Sequence, residues 1–312
     1  MSVQSAHRCG TAAIVGRPNV GKSTLLNRFL GQKIAIVSPK PETTRDRLLG
    51  ILTLPAAQIM FLDTPGIYRG AKTLLGKHQV QQAQEALQEG DLILLMTEAQ
   101  AGVTDGEREI IRLLPREKQG QTAPVFLAIN KVDRVERGLI LPQIEEMTRL
   151  YPFREIFPIS ATKGDNLEPL LKALTAALPE GPALYPPDQV TDRPVRDLAR
   201  ELIREKALLF THEEIPHAVA VEMEEWRPGR PGREQAAGGL PSTYLRATLF
   251  VERETQKGIL IGKEGALLKR IGRAARKEIE DLIEGPAYLD LWVKVQRNWR
   301  KDPAVLKRLG YG

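Results

Sequence analysis

The chain has 312 residues, 42% of them hydrophobic, and a formal net charge of +6. This length and apolar content predict two folded domains and exclude bulk disorder. No apolar stretch reaches the roughly 20 residues of a membrane span, and no signal-peptide core is present, so neither a membrane-spanning nor a secreted protein is expected. The single cysteine, Cys9, predicts an inert thiol in a disordered N-terminus, residues 1–10, of a cytoplasmic protein.

The positive charge is unevenly distributed. Residues 257–312 contain 13 Lys and Arg against 7 Asp and Glu, whereas the rest of the chain contains 32 of each. The whole net charge therefore lies near the C-terminal end. A local basic excess favours a polyanionic partner such as RNA or an anionic membrane surface, and a solvated helix face is the alternative.

Short apolar runs alternate with amphipathic stretches through residues 11–180. The predicted strands, each buried on both faces, are AAIVG, QIMFLD, DLILLM, PVFLAIN and IFPIS. The predicted helices are STLLNRFL, GKHQVQQAQEAL, GEREIIRLLP and residues 139–150. This alternation predicts an α/β domain, with a mostly parallel sheet and helices on both faces. A segment rich in proline and glycine follows and predicts a linker at residues 181–193.

The order of elements changes in residues 194–312. VRDLARELIREKALL predicts a helix, and HAVAVEMEEW, YLRATLFVERE and YLDLWVKVQ predict strands. GILIG leads through a turn into the helix ALLKRIGRAARKEIEDLIEG. The order α-β-β-α-α-β predicts a small α+β domain. The insertion at residues 227–242 carries three arginines, which either contact RNA or solvate a loop.

A phosphate-binding motif follows the first predicted strand. GRPNVGKST, residues 16–24, matches G-x-x-x-x-G-K-[ST] and opens a predicted helix, although a plain strand–helix turn is the alternative. Backbone N–H groups and the helix N-terminus would hold phosphates. Lys22 would reach the β- and γ-phosphates, and Ser23 would bind Mg²⁺. The candidate nucleotide-binding residues here are Gly16, Asn19, Val20, Gly21, Lys22, Ser23 and Thr24.

Two further segments predict a response to the γ-phosphate. DTPG closes the strand QIMFL, so that Asp63 would support Mg²⁺ and the N–H of Gly66 would sense the γ-phosphate. In PETTRDR, Thr43 or Thr44 would bind Mg²⁺ while the γ-phosphate is present and release it after hydrolysis. We favour Thr44, but the sequence leaves the choice open, and an exposed turn is the alternative for either residue.

The motif NKVD, at the end of PVFLAI, predicts the base. Asp133 would accept the N1–H and the exocyclic amine of guanine, whereas adenine would leave this buried carboxylate unpaired at a cost of a few kcal/mol. Asn130 would brace the loop, and the stem of Lys131 would cover the base. The segment SAT would supply the Ala161 N–H to guanine O6; its residues are Ser160, Ala161 and Thr162. The predicted ligand is GTP or GDP.

These motifs, in this order, resemble the translation-factor-related branch of small GTPases. With LIGKEG and LDLWVKVQRNW downstream, nearly the whole chain resembles the Era family. The resemblance implies an α/β P-loop GTPase domain followed by a type II KH domain. In that family the KH domain binds single-stranded sequence near the 3′ end of small-subunit ribosomal RNA and assists maturation of the 30S subunit. The candidate catalytic residues are Lys22, Asn19, Thr44 and Gly66.

The segment GKEG supports the KH interpretation independently. A G-x-x-G turn between two helices lets backbone amides approach a nucleic-acid backbone, and basic side chains around it would contact phosphates. The candidate RNA-binding residues are Lys257, Gly258, Ile261, Gly262, Lys263, Gly265, Lys269, Arg270 and Arg273. The aliphatic residues Ile259, Ile261 and Leu268 form either a floor for bases or part of the core.

Two positions depart from the usual patterns. Glu264 places a carboxylate in the turn, which would repel phosphate unless it points outward or pairs with Lys263 or Lys269. Ile67 occupies the position where many small GTPases carry a water-orienting glutamine, so slow intrinsic turnover is expected. Related GTPases with this gap use K⁺ held by an asparagine of the phosphate loop. Asn19 matches that asparagine, or it merely shapes the loop.

Three other functions remain open from the sequence. The first is an RNA-binding adaptor that only senses GTP and GDP. The second is a GTPase supporting tRNA modification, although the relative with that role carries an extra N-terminal domain and a C-terminal cysteine. The third is a peripheral membrane protein whose basic end, with Trp292 and Trp299, meets anionic lipid.

Overall fold

A computed structural model describes residues 7–40, 43–67, 73–115, 123–230 and 242–311 of the chain. The chain divides into two compact units. The first unit comprises Met1–Ala35, Thr44–Lys72 and Gly76–Asp192, and the second comprises Ile36–Thr43, Thr73–Leu75 and Arg193–Gly312. In the described part of the chain, no helix is both long and apolar enough to cross a membrane.

The first unit is built on a six-stranded sheet. Its strands are β1 Arg8–Gly16, β2 Leu48–Leu54, β3 Ala57–Asp63, β4 Leu92–Glu98, β5 Val125–Asn130 and β6 Glu155–Pro158. Its helices are α1 Lys22–Leu30, α2 Leu74–Glu89, α3 Asp105–Leu113, α4 Ile140–Leu150 and α5 Leu167–Ala177. The strand order is β2-β3-β1-β4-β5-β6, and only β2 runs antiparallel to its neighbour. The predicted mostly parallel α/β fold is confirmed.

Apolar side chains explain why this sheet has helices on both faces. Alternate residues of a strand point to opposite faces, so a strand that is apolar throughout needs cover on both sides. Ala13 and Val15 of β1 belong to a buried cluster with side chains of α2, α3 and α4. Helices α1 and α5 also contact β1. The strand β2 was not predicted, because it lies at the sheet edge and four of its seven residues are only half-buried.

The start of the chain is more ordered than the sequence indicates. Residues 8–10, predicted to be disordered, belong to β1 and pair with β3, with Cys9 opposite Gln58. Cys9 is buried, and its N–H donates to the carbonyl of Pro179 at 3.0 Å. The prediction of disorder is therefore wrong for residues 8–10, because distant partners supply the hydrogen bonds. Residues 1–6 lie outside the described part of the chain.

The predicted linker is held against the first unit. The buried side chain of Gln58 accepts hydrogen bonds from the N–H groups of Leu184 and Tyr185 at 2.7 and 2.9 Å, and donates to the Tyr185 carbonyl at 2.9 Å. Farther along, the N–H of Ile51 donates to the carbonyl of Val190 at 2.8 Å. Residues 181–192 therefore lack the freedom that their Pro/Gly-rich composition predicts.

The second unit combines a three-stranded sheet with helices. Its elements are α6 Val195–Phe210, α7 Ile215–Ala218, β7 Ala220–Pro228, β8 Thr243–Val251, α8 Glu254–Ile261, α9 Ala266–Leu282, β9 Ala287–Val295 and α10 Pro303–Arg308. Strand β8 lies in the centre, antiparallel to β7 and parallel to β9. Apolar residues of α6, α8 and α9 pack on one face of the sheet. The predicted α+β order is confirmed, with α7 and α10 in addition.

The C-terminal residues form a small apolar cluster of their own. Trp299 is fully buried, and its indole N–H donates to the carbonyl of Ala218 at 2.8 Å. Its ring stacks on Tyr311, with 6.0 Å between the ring centroids. Trp299 is therefore a core residue and not the membrane contact considered from the sequence, whereas Trp292 is 54% exposed.

The Pro/Gly-rich insertion is described only at its two ends. Residues 231–241 lie outside the described part of the chain, and the proposed RNA contact of the arginine at position 233 lies there with them. At the near end, the guanidinium of Arg227 lies 4.0 Å from the centroid of the Tyr244 ring. Arg227 thus packs against its own sheet.

Candidate nucleotide site and nucleic-acid interface

The phosphate loop lies between β1 and α1 and surrounds a buried lysine. Lys22, the first residue of α1, donates its ammonium hydrogens to the carbonyls of Gly16 and Arg17 at 3.1 and 2.9 Å. Gly21 adopts a left-handed conformation (φ 106°), and a Cβ there would lie 2.2 Å from Asn130 Nδ2. Only glycine therefore fits at this position. Asn19 is exposed and also has a positive φ of 64°.

Burial shifts the pKa values of the two ionisable groups at the centre of the site. It lowers the pKa of Lys22 from 10.5 to about 8, and the carboxylate of Asp63 opposes this shift. Burial raises the pKa of Asp63 from 3.8 to about 6, against the effects of Lys22 and a hydrogen bond from Ser23. Between about pH 8 and 10.5 the unfolded chain holds more protons on Lys22 than the folded chain, so burial of the ammonium destabilises the fold below that window. An anionic ligand beside Lys22 would offset this cost.

Three side-chain oxygens converge where the sequence predicts Mg²⁺. The Ser23 hydroxyl donates to Asp63 Oδ2 at 2.6 Å and lies 3.1 Å from the hydroxyl of Thr44. The other carboxylate oxygen of Asp63 is buried and has no hydrogen-bond partner among the described residues. Mg²⁺ prefers oxygen ligands and uses one or two carboxylates together with substrate phosphates, so this donor set fits the ion.

The same geometry separates the two candidate threonines. Thr43 is buried, and its hydroxyl donates to the carbonyl of Lys40 at 2.7 Å. Thr44 is the threonine whose hydroxyl lies beside Ser23. The adjacent threonines cannot be ranked from the sequence alone, because only the path of the backbone decides which hydroxyl faces the site.

The DTPG segment packs directly on the phosphate loop. A Cβ on Gly66 would lie 2.4 Å from the backbone nitrogen of Pro18, so glycine is required by this close approach. The next residue, Ile67, donates its N–H to the carbonyl of Gly16 at 3.2 Å. The Ile67 side chain is buried in the cluster that includes Val15. It therefore lies in the core and has no means of orienting water.

Asn130 connects the loops predicted to bind phosphate and base. The buried amide donates to the carbonyl of Val20 at 2.8 Å and accepts the N–H of Ala161 at 2.9 Å. The predicted bracing role of Asn130 has this geometric basis. The Ala161 N–H, which the sequence assigns to guanine O6, is here bonded to Asn130.

The other side chains predicted to contact the base are Lys131, Asp133, Ser160 and Thr162, which differ in exposure. Asp133 is exposed, so the base itself would have to cover the carboxylate for it to be buried as the sequence predicts. The hydroxyl of Ser160 donates to Asp133 Oδ1 at 2.7 Å and lowers the pKa of that carboxylate. Thr162 is also exposed, with its hydroxyl 3.3 Å from that of Ser160. Lys131 forms a salt bridge with Glu98 at the end of β4.

One anchor of the phosphate loop was not predicted. Arg17 forms a salt bridge with the buried carboxylate of Glu107, which also closes the N-terminal cap of α3 with Thr104. The residues are 90 positions apart. The sequence signal Thr-x-x-Glu predicts the helix cap, but it carries no information about the arginine.

The G-x-x-G turn joins α8 to α9 as predicted, but its glycines have different roles. Gly262 has φ 75°, and a Cβ there would lie 2.9 Å from Leu267 Cβ. Gly265 has φ 76° and nothing within 4 Å of a Cβ position. The first glycine is therefore required by packing within the protein, and the second by its backbone conformation. Glu264 between them is also left-handed, with φ 52°.

Basic residues of α9 form an open groove of about 600 Å³. Its lining residues are Phe210, Ala266, Lys269, Arg270, Arg273, Ala274 and Lys277. The Arg270 guanidinium lies 4.2 Å from the centroid of the Phe210 ring. The sequence interpretation missed Phe210 and Lys277, although the spacing of Lys269, Arg273 and Lys277 at four-residue intervals places them on one helix face.

The remaining predicted RNA contacts vary in exposure. Gly258 and Lys263 are exposed, and Lys257 is half-buried. Ile261 packs against the core, whereas Ile259 is 53% exposed.

Glu264 does not neutralise its charge locally. The side chain is exposed, and within the described ranges it forms no salt bridge with Lys263 or Lys269. Its carboxylate therefore adds negative charge to the turn.

Comparison with known proteins gives the same two-part division. Residues 11–131 match a family described as 50S ribosome-binding GTPase, and residues 214–300 match the KH domain family. The chain is 50% identical over 304 residues to the GTPase Era of Geobacter metallireducens, an alignment that covers 97% of this chain and 98% of the relative. The chain belongs to the Era family. Its identity to the GTPase Era of Lacticaseibacillus paracasei is 48%, over 98% of both chains.

Solved Era structures share this architecture. One, Era in complex with MgGDPNP and nucleotides 1506–1542 of 16S ribosomal RNA, is 44% identical, with a TM-score of 0.91 over 98% of this chain and 99% of that one. An Aquifex aeolicus Era variant bound to GDP and AlF4⁻ is 43% identical, with a TM-score of 0.90 over the same shares of the two chains. The predicted P-loop GTPase and KH folds are thereby confirmed.

The close approach of Gly66 to Pro18 predicts that a side chain at position 66 would weaken nucleotide binding by this Era family member. Gly66→Ala would force the DTPG segment and the phosphate loop apart. Overpacking costs roughly 1–3 kcal/mol, so we expect the affinity for a fluorescent GTP analogue to fall about tenfold or more. Gly138→Ala is the control, because a Cβ there meets nothing within 4 Å. Equal affinities in the two variants would show that the two loops separate easily.

Proposed function

We propose that this chain is a GTP-hydrolysing switch that binds small-subunit ribosomal RNA near its 3′ end through the KH domain and assists maturation of the 30S subunit. The chain is a GTPase by its family and its GTPase domain. The observation that carries the full proposal is the pairing, in one chain, of a site built for nucleotide and Mg²⁺ with a basic G-x-x-G surface.

The nucleotide site provides charge and shape for a triphosphate. Lys22 is buried and its pKa is lowered, so a phosphate group beside it would stabilise its ammonium. Ser23, Thr44 and Asp63 would hold Mg²⁺, which when bound neutralises charge on the β- and γ-phosphates. The N–H of Gly66 would respond to the γ-phosphate, since this residue lies against the phosphate loop.

Guanine selection would depend on Asp133. Its carboxylate accepts a hydrogen bond from Ser160 through Oδ1. The N1–H and the exocyclic amine of guanine would donate two further hydrogen bonds to this carboxylate. The bound base would also shield the exposed carboxylate from water. Adenine offers no such pair of donors and would leave the covered carboxylate unpaired.

Thr44 would report the state of the nucleotide. Its hydroxyl lies 3.1 Å from that of Ser23, so it would reach a Mg²⁺ held by Ser23 and would lose that ligand if the segment moved away. Loss of the γ-phosphate would release the segment that contains Thr44. GTPases convert hydrolysis into a conformational change in this way.

Potassium would take the place of an arginine finger during hydrolysis. The buried Ile67 side chain cannot orient water, and Asn19 lies exposed on the phosphate loop, where a second cation would meet the phosphates.

We expect turnover to be about tenfold or more faster in KCl than in NaCl at equal ionic strength, because an arginine finger contributes roughly 10³–10⁵ in rate. Asn19→Ala should remove the difference. Equal rates in the two salts would disprove the role of potassium.

The RNA proposal relies on the second unit. The Era structure that contains nucleotides 1506–1542 of 16S ribosomal RNA is similar to this chain over 98% of its length, which supports the same class of partner here. The turn Gly262–Gly265 would approach the RNA backbone, and Lys269, Arg270 and Arg273 would contact phosphates. The adjacent groove offers Phe210 and Lys277 in addition.

Crosslinking the protein to cellular RNA in the presence of a non-hydrolysable GTP analogue tests the assignment. We expect sequence tags to accumulate at the 3′ end of the small-subunit RNA, and the double variant Lys269→Glu/Arg273→Glu to lose them. Arg112→Glu/Lys172→Glu, with the same charge change on exposed residues of the first unit, should keep them. Tags scattered over unrelated RNA would overturn the ribosomal assignment. If bound RNA left GTP turnover unchanged, the alternative of an RNA-binding adaptor that only senses GTP and GDP would be favoured.

Glu264 should weaken RNA binding through its charge. We expect Glu264→Gln and Glu264→Gly to bind an oligonucleotide of the 3′ sequence about threefold or more tighter at low salt, with less difference at high salt. Gln keeps the left-handed backbone strain and Gly removes it, so equal gains would identify the charge as the cause. Glu284 is a matched control, because it is exposed and has φ 50° outside the turn. Weaker binding by Glu264→Gln would mean that the turn faces away from RNA.

Contact with an anionic membrane and a cytoplasmic location remain predictions from the sequence. The exposed tryptophan of the tail is Trp292, because Trp299 is buried.

A further inference from the structure

Side chains of α2 contact three residues of the segment 44–47, namely Thr44, Asp46 and Arg47. Gln79 Nε2 donates to the carbonyl of Thr44 at 3.4 Å. His78 Nε2 lies 3.3 Å from Asp46 Oδ1, and Gln82 Oε1 accepts the N–H of Arg47 at 2.6 Å. We propose that Gln79, supported by His78 and Gln82, is a positioning residue for GTP hydrolysis that holds the backbone of Thr44 so that its hydroxyl stays beside Ser23. This inference depends on the Mg²⁺ role proposed above for Thr44.

The spacing of these side chains suits a clamp. Residues three or four apart are neighbours on the surface of a helix, so Gln82 lies next to both His78 and Gln79 on α2. Gln79 contacts Thr44, His78 contacts Asp46, and Gln82, one turn later, contacts Arg47. At the far end, Arg47 Nη1 donates to Glu89 Oε2 at 2.5 Å.

Burial makes the Gln79 contact costly to lose. The Gln79 side chain is 1% exposed, although glutamine is usually a surface residue. A buried amide that loses one partner pays the desolvation of the group left behind. Gln79 therefore favours the arrangement in which the Thr44 carbonyl stays within reach of its amide.

The supporting contacts are coupled. Gln82 Nε2 lies 2.9 Å from His78 Nε2, while the Oε1 of the same amide accepts the N–H of Arg47. The same ring nitrogen of His78 lies 3.3 Å from Asp46 Oδ1, so it either accepts from Gln82 or donates to Asp46. A shift of Asp46 or Arg47 would disturb both side chains together, so the segment is expected to be held or released as a whole.

Thr44 is thus restrained from two directions. Its side chain lies beside Ser23, and its carbonyl lies beside Gln79. A GTP-bound protein would use the Thr44 hydroxyl as a Mg²⁺ ligand, and a GDP-bound protein would not. Loss of the Gln79 hydrogen bond should therefore weaken the GTP-bound form selectively.

Gln79→Met is the test variant, because methionine has a similar length and no hydrogen-bonding amide. We expect the affinity for a non-hydrolysable GTP analogue in Mg²⁺ to fall about three- to tenfold, the range expected for one hydrogen bond, with GDP affinity unchanged. Turnover should fall with it. Gln81→Met is the matched control on the same helix, because Gln81 is exposed and its amide contacts Glu85. It should change none of these values.

A double-mutant cycle with Thr44→Ala tests whether Gln79 acts through Thr44. If it does, Gln79→Met should cause no further change in the ratio of GTP-analogue to GDP affinity when Thr44 is already alanine. A persistent effect in that background, or an equal loss of GTP-analogue and GDP affinity, would overturn the inference. Failure of the proposed function is distinguishable, because the unmodified protein would then neither hydrolyse GTP nor require Mg²⁺.

Discussion

The amide of Asn130 holds the nucleotide site together. Parallel strands bring their carboxyl ends to one edge of a sheet, but the loops that follow them still need a fixed spacing. Asn130 fixes this spacing through hydrogen bonds to Val20 on the phosphate loop and to Ala161 on the loop after β6. The same side chain occupies the space that a Cβ at Gly21 would need. One buried side chain thus links the phosphate loop to the loop after β6, and it leaves no room for a Cβ at Gly21.

Much of this arrangement is predictable, because its signals are local. Strands buried on both faces appear as uninterrupted apolar runs, and the phosphate-loop, DTPG and NKVD motifs each follow such a run. Contacts between distant residues are not predictable in this way. The salt bridge between Arg17 and Glu107, the hold of Gln58 on residues 184–185 and the pairing of residues 8–10 depend on partners far along the chain. The edge strand β2 lacks a fully buried pattern, and adjacent threonines carry identical signals.

Several residues at the predicted ligand contacts are unfavourable for the stability of the fold. Lys22 and Asp63 are both buried where their charged forms are disfavoured, and Glu264 adopts a left-handed conformation that glycine would adopt more easily. These features lie at the predicted phosphate, metal and RNA contacts, whereas the sheet interior contains well-packed aliphatic side chains. Such unfavourable features are expected at functional sites, because a bound ligand can offset the burial of Lys22 and Asp63 and packing elsewhere can compensate for the strain at Glu264.

The contact of Ala161 with Asn130 has a consequence for protein synthesis. A nascent chain cannot close this edge of the sheet until residues near 161 have left the ribosome, since β6 and the loop after it come last among the site elements. Residues 193–312 are translated later. Domains generally fold as units during synthesis, N-terminal first. All strands of the first sheet can therefore have left the ribosome while residues 193–312 are still being translated.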